Sequence, residues 1–511
     1  MRKFLWVVAV GALVLAVAAP AMAVDVKFGA EYRVRFYDYA NLGFNSVAGT
    51  NPRGVQLRFR PLFTASDDNG NIVATWRGEF GDTQFGGGGG ANGQALGVSS
   101  TGSQTGLSYT VVSGSNRTAS GGGGGAGADG VALETKWAFM DFAMPFGVPL
   151  RVRAGIQGWY LPKGLVTDDD YAGIKAYGSV APVNYEFGWW RANRGTTTTA
   201  APATGGVAQQ NFSATKDNAF DYYHVKFDAA FGKLLNPYVY YVYGDNRSNC
   251  TGNTTGTFTD SALCASNDRI RPQHFVGLGF TGDAGTFSYD LDWVWGTAEG
   301  GIQGTMYSAA DGKPIQVQGW VLDGGVHIPI GPVTLNLVGS LATGDKQDTS
   351  GHKSNAFPGG PGTSWSGPSR PYGGPYEIIG EGGDYDVISV NHVPTNLWTI
   401  GTSAEYLPVK ALTLRVHYLF IGFFEKKGNC ALTGAAVPGS IGCFGPAFQG
   451  KDYVAGTTSG LAGKSTLGQE IGLKATYTMW TGFKVSAFAG WLVPTKGDTT
   501  GKYILQMLYN F

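Results

Sequence analysis

Read in steps of two, residues 502–511 separate into two faces. Tyr503, Leu505, Met507, Tyr509 and Phe511 share one, and Ile504, Gln506, Leu508 and Asn510 share the other. Alternation at period two is the mark of a β-strand, whose successive side chains point to opposite sides. Chain ends are usually frayed and polar. This one carries an aromatic-rich strand face up to its last residue, so it needs a partner strand and an apolar medium.

The opening of the chain supplies both an address and a partner. Residues 1–23 begin with Arg2 and Lys3, run through an apolar core and end in Pro20-Ala21-Met22-Ala23. That pattern predicts a secretory signal cleaved after Ala23. It leaves residues 24–511 as one domain. The apolar run is shorter than the roughly 20 residues of a spanning helix, and no later stretch approaches that length. The mature chain opens with Val26, Phe28, Ala30, Tyr32, Val34 and Phe36 on one face, against Lys27, Glu31, Arg33 and Arg35 on the other.

Runs of this kind recur to the end. Counting them gives about 18 strands, with 16 to 18 as the range. Their connections alternate in length, and this alternation is the strongest topological signal. One set is short: 66–71, 144–149, 181–183, 232–236, 282–285, 329–332, 407–411 and 480–482. The other set is mostly long: 83–130, 192–218, 246–272, 344–395 and 425–465. The first long segment contains two pentaglycine tracts, a composition that buries no core. Only 14% of residues are charged and 13% are aromatic, as expected when apolar residues are spread singly along half-apolar strands. Losing Arg2 and Lys3 takes the even balance of 37 basic and 37 acidic residues two charges to the acidic side. Nothing in that balance points to nucleic acid.

The signal segment, the opening Glu31-Tyr32-Arg33-Val34-Arg35, the alternating strands and the closing Phe511 resemble a Gram-negative outer-membrane porin. The closing alternation resembles the insertion signal of such proteins. An arginine-rich interior at this strand number is similar to the alginate-export and substrate-specific porin groups. The implied fold is all-β: an antiparallel transmembrane barrel with short periplasmic turns and long extracellular loops. The resemblance also implies passive passage of small hydrophilic solutes, contact with outer-membrane lipids and lipopolysaccharide, and a homotrimer.

Within a barrel of 16–18 strands an aqueous channel remains, so inward charges become pore-lining candidates. Parity assigns Lys27, Glu31, Arg33, Arg35, Arg58, Arg60, Arg77, Glu79, Arg151, Arg153, Asp290 and Asp292 to the lumen. The arginines gather on the first five strands, which suggests anion preference. Connection 161–172 is a candidate constriction: its Asp168, Asp169 and Asp170 form an acidic shelf against that basic wall if it folds inward. The alternative leaves those acids at the outer rim. Segment 344–395, with Trp365, reads as a surface loop. Aromatics at strand ends, among them Tyr37, Tyr39, Trp159, Tyr160, Trp480 and Tyr509, are expected to form girdles.

Cys250 with Cys264, and Cys430 with Cys443, lie in two long connections. In an exported chain such local pairs are expected as disulfides. Closing about 15 residues contributes roughly 3 kcal/mol by the chain-entropy model. The six histidines show no ligand spacing, and no nucleophile elbow, phosphate loop or zinc signature is present. No enzyme, metal or cofactor is expected. Two further functions share these features: a channel for an acidic polysaccharide or sugar, and a sheath around a partner such as a multihaem cytochrome.

Overall fold

A computed structural model describes residues 24–41, 53–84, 133–145, 147–194, 219–246, 271–299, 316–344, 353–360, 363, 365, 367–369, 394–425, 465–495 and 498–511. The four cysteines and the signal segment lie outside the described residues.

One sheet holds every strand described. It starts with β1 (Asp25–Ala40), β2 (Arg53–Ser66), β3 (Ile72–Gln84), β4 (Leu133–Ala143), β5 (Leu150–Tyr160) and β6 (Asp168–Val180). It continues with β7 (Val183–Arg194), β8 (Ala219–Ala229), β9 (Asn236–Asn246), β10 (Arg271–Asp283), β11 (Ser288–Glu299), β12 (Gln316–Ile330) and β13 (Val333–Ala342). After the two-residue β14 (Lys353–Ser354) come β15 (Leu397–Val409), β16 (Leu412–Gly422), β17 (Thr466–Trp480), β18 (Phe483–Pro494) and β19 (Thr500–Asn510). Each long strand pairs antiparallel with its neighbours in sequence, and β14 adds parallel to β12. The eighteen long strands agree with the count from periodicity.

The sheet closes on itself. β1 meets β19 from Glu31↔Asn510 to Ala40↔Gly501, with no break in register. Phe511 extends that seam: its N–H donates to the Ala30 carbonyl at 3.0 Å, and its carbonyl accepts from the Ala30 N–H at 2.9 Å. Its ring lies 5.8 Å from Phe28 and 5.1 Å from Tyr509. Truncating the chain at Asn510 removes two hydrogen bonds of about 1 kcal/mol each together with those ring contacts. The expected result is a smaller heat-modifiable (folded) band on an unheated gel after refolding into detergent. An unchanged band would show that the seam closes without Phe511.

Sidedness is inverted relative to a water-soluble protein. Along β1, Phe28, Tyr32 and Phe36 are exposed while Arg33 and Arg35 are only 7% exposed. Outward Phe63, Ile72, Met140, Leu337, Ile400 and Leu473 repeat the pattern round the barrel. Apolar outside and charged inside suits a hydrocarbon surround, where a closed sheet also gives every backbone amide a partner. Among the described residues no helix is long and apolar enough to cross a membrane; the chain crosses with strands. Trp480, Tyr160 and Tyr509 face outward as girdle residues do, whereas Tyr37, Tyr39 and Trp159 are buried inside the barrel. Position near a strand end suggested a girdle for all six; parity decides which way each one points.

Candidate pore constriction

Two segments enter the lumen. The first is the connection between β5 and β6. Leu161, Leu165, Val166 and Thr167 are at most 4% exposed, and a single 3-10 turn over Pro162–Gly164 carries Lys163 at its tip. Lys163 has φ 55° and Gly164 φ 67°, so a non-glycine residue sits in the left-handed region at a cost of about 1 kcal/mol. From that tip the Lys163 ammonium reaches β11 and β12. It pairs with Asp290, with Asp292 at 2.7 Å and with Asp323 at 2.8 Å, and donates to the Asp323 carbonyl at 3.0 Å. Five strands lie between β5 and β11, so this connection spans a chord of the barrel.

Burial works against the Lys163 charge, but the carboxylates of Asp323, Asp292 and Asp290 outweigh it and raise the ammonium above its ordinary range. A raised value means the stabilisation is complete below the unfolded lysine's ordinary range and fades only above it. The pairing therefore holds across physiological pH.

The second segment lies between β13 and β15 and packs against the first. Thr363 Oγ1 donates to the carbonyls of Leu165 and Val166 at 3.2 Å. Trp365 donates its indole N–H to Asp323 at 3.0 Å. Ser369 donates its backbone N–H to Asp323 at 2.7 Å and its hydroxyl to Asp290 at 2.6 Å. Phe357 is fully buried. The segment lies close against β12 because Gly319 and Gly325 face it: a Cβ at Gly319 meets Phe357 N at 2.5 Å, and one at Gly325 meets Ser369 Oγ at 2.5 Å. His327 completes the cluster through Asp290 and Asn336, each at 2.8 Å, and Asn336 passes the chain to Ser403 at 2.9 Å.

The opposite wall, β1–β5, carries the arginines. Glu31 pairs with Arg58 at 2.7 Å, Arg77 at 3.7 Å and Arg60 at 3.8 Å. Glu79 pairs with Arg60 and with Lys136 at 3.9 Å. Asp141 accepts from Arg151 and Arg153 at 2.7 Å and from the Tyr177 hydroxyl at 2.5 Å. Arg77 and Arg153 also lie over the rings of Trp137 and Phe139, at 4.7 and 4.4 Å. Arg35 donates to Gln506 across the seam at 3.2 Å. Glu31, Glu79 and Asp141 together pair with five arginines of these strands: Arg58, Arg60, Arg77, Arg151 and Arg153.

Four placements differ from the sequence expectation. Asp168, Asp169 and Asp170 belong to β6, paired with Tyr160, Trp159 and Gly158. Aspartate is a poor strand former, which made the triplet read as loop. Its cost is offset at Asp170, which accepts from Trp137 at 2.8 Å and Tyr160 at 3.3 Å. The shelf that crosses the lumen is basic, through Lys163, and the acids it meets are on the far wall. Asp290 and Asp292 point inward but are sealed by Lys163, with side chains 0% and 3% exposed. Segment 344–395, read as a surface loop, sends Phe357, Trp365 and Ser369 inside. Lys27 sits at the mouth beside the turns, 75% exposed and 3.0 Å from Asp25.

No family model matches the sequence, and no curated protein matches it. Solved structures do. OccAB4 of Acinetobacter baumannii aligns over 95% of this chain and 98% of its own, at 10% identity and TM-score 0.51. The fold is that of an outer-membrane porin. OccK8 (OprE) of Pseudomonas aeruginosa aligns over 95% of this chain and 98% of its own, at 12% identity and TM-score 0.49. The outer membrane protein OpdK of Pseudomonas aeruginosa covers the same shares at 11% and 0.47. Together with the inverted surface, the fold places the barrel in a Gram-negative outer membrane, in contact with its lipids.

Proposed function

We propose that the barrel is a passive channel for small hydrophilic solutes, with a preference for anions, exported by the cleavable segment 1–23. The observation that carries this reading is unequal access of water to the two charged walls. Arg58, Arg60, Arg77, Arg151 and Arg153 keep between 15% and 32% of their side chains exposed. Lys163, Asp290, Asp292 and Asp323 keep at most 5%. A solute passing through the remaining space meets guanidinium groups in excess over their acids, and wall charge sets pore selectivity. Diffusion past such a wall uses no catalytic group.

A sheath for a second protein fits less well, because the chain's own two segments occupy part of the lumen. The test is the reversal potential of purified protein in a planar bilayer under a KCl gradient. A steady conductance with chloride favoured over potassium is expected. A folded barrel that conducts potassium better, or nothing, overturns the reading.

A further inference from the structure

We propose that Lys163 sets the charge selectivity of this channel by masking the acidic wall formed by Asp290, Asp292 and Asp323. The inference rests on the diffusion reading of the same lumen and assigns its specificity to a residue outside the arginine wall.

Without an ammonium between them, three carboxylates on adjacent strands β11 and β12 stand in one patch. Asp292 and Asp323 are direct cross-strand partners, and Asp290 lies two residues from Asp292 on the same face. Like charges this close repel unless water or a cation screens them. Bare, the patch faces the arginines across the lumen and cancels their field. The structure instead supplies the cation from the chain itself. Beside His327 of β12, which meets Asp290, three further donors turn toward the same acids: the Ser369 N–H, the Trp365 indole and the Ser369 hydroxyl. All three arrive on the second inserted segment. That segment is tied in turn to the Lys163 connection through Thr363. The two insertions thus work as one cover over the acidic wall, with Lys163 as its charged centre. Lysine in a left-handed turn position is what the tip needs to point the ammonium across the chord, although glycine is the residue that conformation favours.

Four proteins test this by reversal potential: wild type, K163Q, K163R, and K163Q combined with D290N, D292N and D323N. Each is first shown to be folded by its heat-modifiable band. K163Q is expected to lower the chloride-to-potassium permeability ratio by roughly five-fold, as wall charge in a narrow pore permits. K163R keeps the wild-type ratio. The quadruple variant, with neither mask nor acids, recovers at least the wild-type ratio, because three negative charges leave with one positive.

An unchanged ratio in K163Q overturns the proposal. So does a quadruple variant that behaves like K163Q, because the shift then follows from a displaced loop and not from uncovered charge. If K163Q does not fold, D292N replaces it: one acid fewer under the same lysine raises the ratio, and no change counts against the mask. A wild type without anion preference refutes the diffusion reading's selectivity alone, since the mask is judged only on differences between variants.

Discussion

Excising residues 162–166 and joining β5 to β6 by a tight two-residue turn raises the single-channel conductance by about two-fold or more, since an 18-strand barrel is wide enough for an aqueous channel once its own insertions leave. The excised segment is the one that crosses from β5 to β11 and β12, and nothing else in the ladder depends on it. β5 and β6 pair without a break from Leu150↔Gly178 to Tyr160↔Asp168, so a hairpin turn caps an intact ladder. The cost falls on the lumen. Leu165 and Val166 are fully buried, and each loses about 1.5–3 kcal/mol of burial. Thr363 loses its two carbonyl acceptors, and the three aspartates lose their ammonium. Phe357 remains buried against β12, so the second segment stays partly docked and the channel opens on one side only. Single-channel recordings in 1 M KCl, where surface charge is screened, isolate the change in bore from any change in selectivity. An unchanged conductance in a folded variant would place the narrowest point elsewhere in the barrel.

How much of this was legible in sequence follows from what each pattern encodes. Period-two alternation is a property of single strands, so eighteen strands, eight short turns and the seam at Phe511 could be read directly. Parity also gives the inward set. The arginines of β1–β5 are found where alternation puts them, with Glu31 and Glu79 beside them. Asp141 gathers Arg151 and Arg153, but it lies beyond a register shift in the β3–β4 pairing, which parity along one strand does not reveal. Insertion into the lumen is not periodic. Whether a connection folds out or in depends on what it meets on strands far away in sequence: Lys163 on Asp323, Thr363 on Leu165. The available clues were small. Residues 161–167 combine Leu161, Leu165 and Val166 with a single lysine and no other charge, and β12 carries Gly319, Gly324 and Gly325, where a strand built only to pack lipid has no use for bare backbone.

Replacing Arg58, Arg60, Arg151 and Arg153 together with glutamine is expected to abolish the preference for chloride and turn the channel toward potassium. The sign follows from what stays behind. Arg58 and Arg60 are partners of Glu31, and Arg60 is also a partner of Glu79. Arg151 and Arg153 are the two basic partners of Asp141. Four positive charges leave while those three acids remain, and the water that reached the arginines reaches the acids. Arg77, still 3.7 Å from Glu31, compensates part of one. The converse change is D141N, which frees Arg151 and Arg153 from their shared carboxylate and strengthens anion preference while leaving the Tyr177 hydroxyl an acceptor. Lysine at the four positions keeps the charge but not the paired geometry of the guanidinium, so it retains the sign of the selectivity with a smaller magnitude. Salt supplies the decisive control. The Debye length is about 10 Å at 0.1 M and about 3 Å at 1 M, so a preference generated by wall charge is large in dilute KCl and fades in concentrated KCl. A preference that survives 1 M salt, or one that the four glutamines leave in place, would mean that selection occurs at a bare contact and not in the field of the arginine wall.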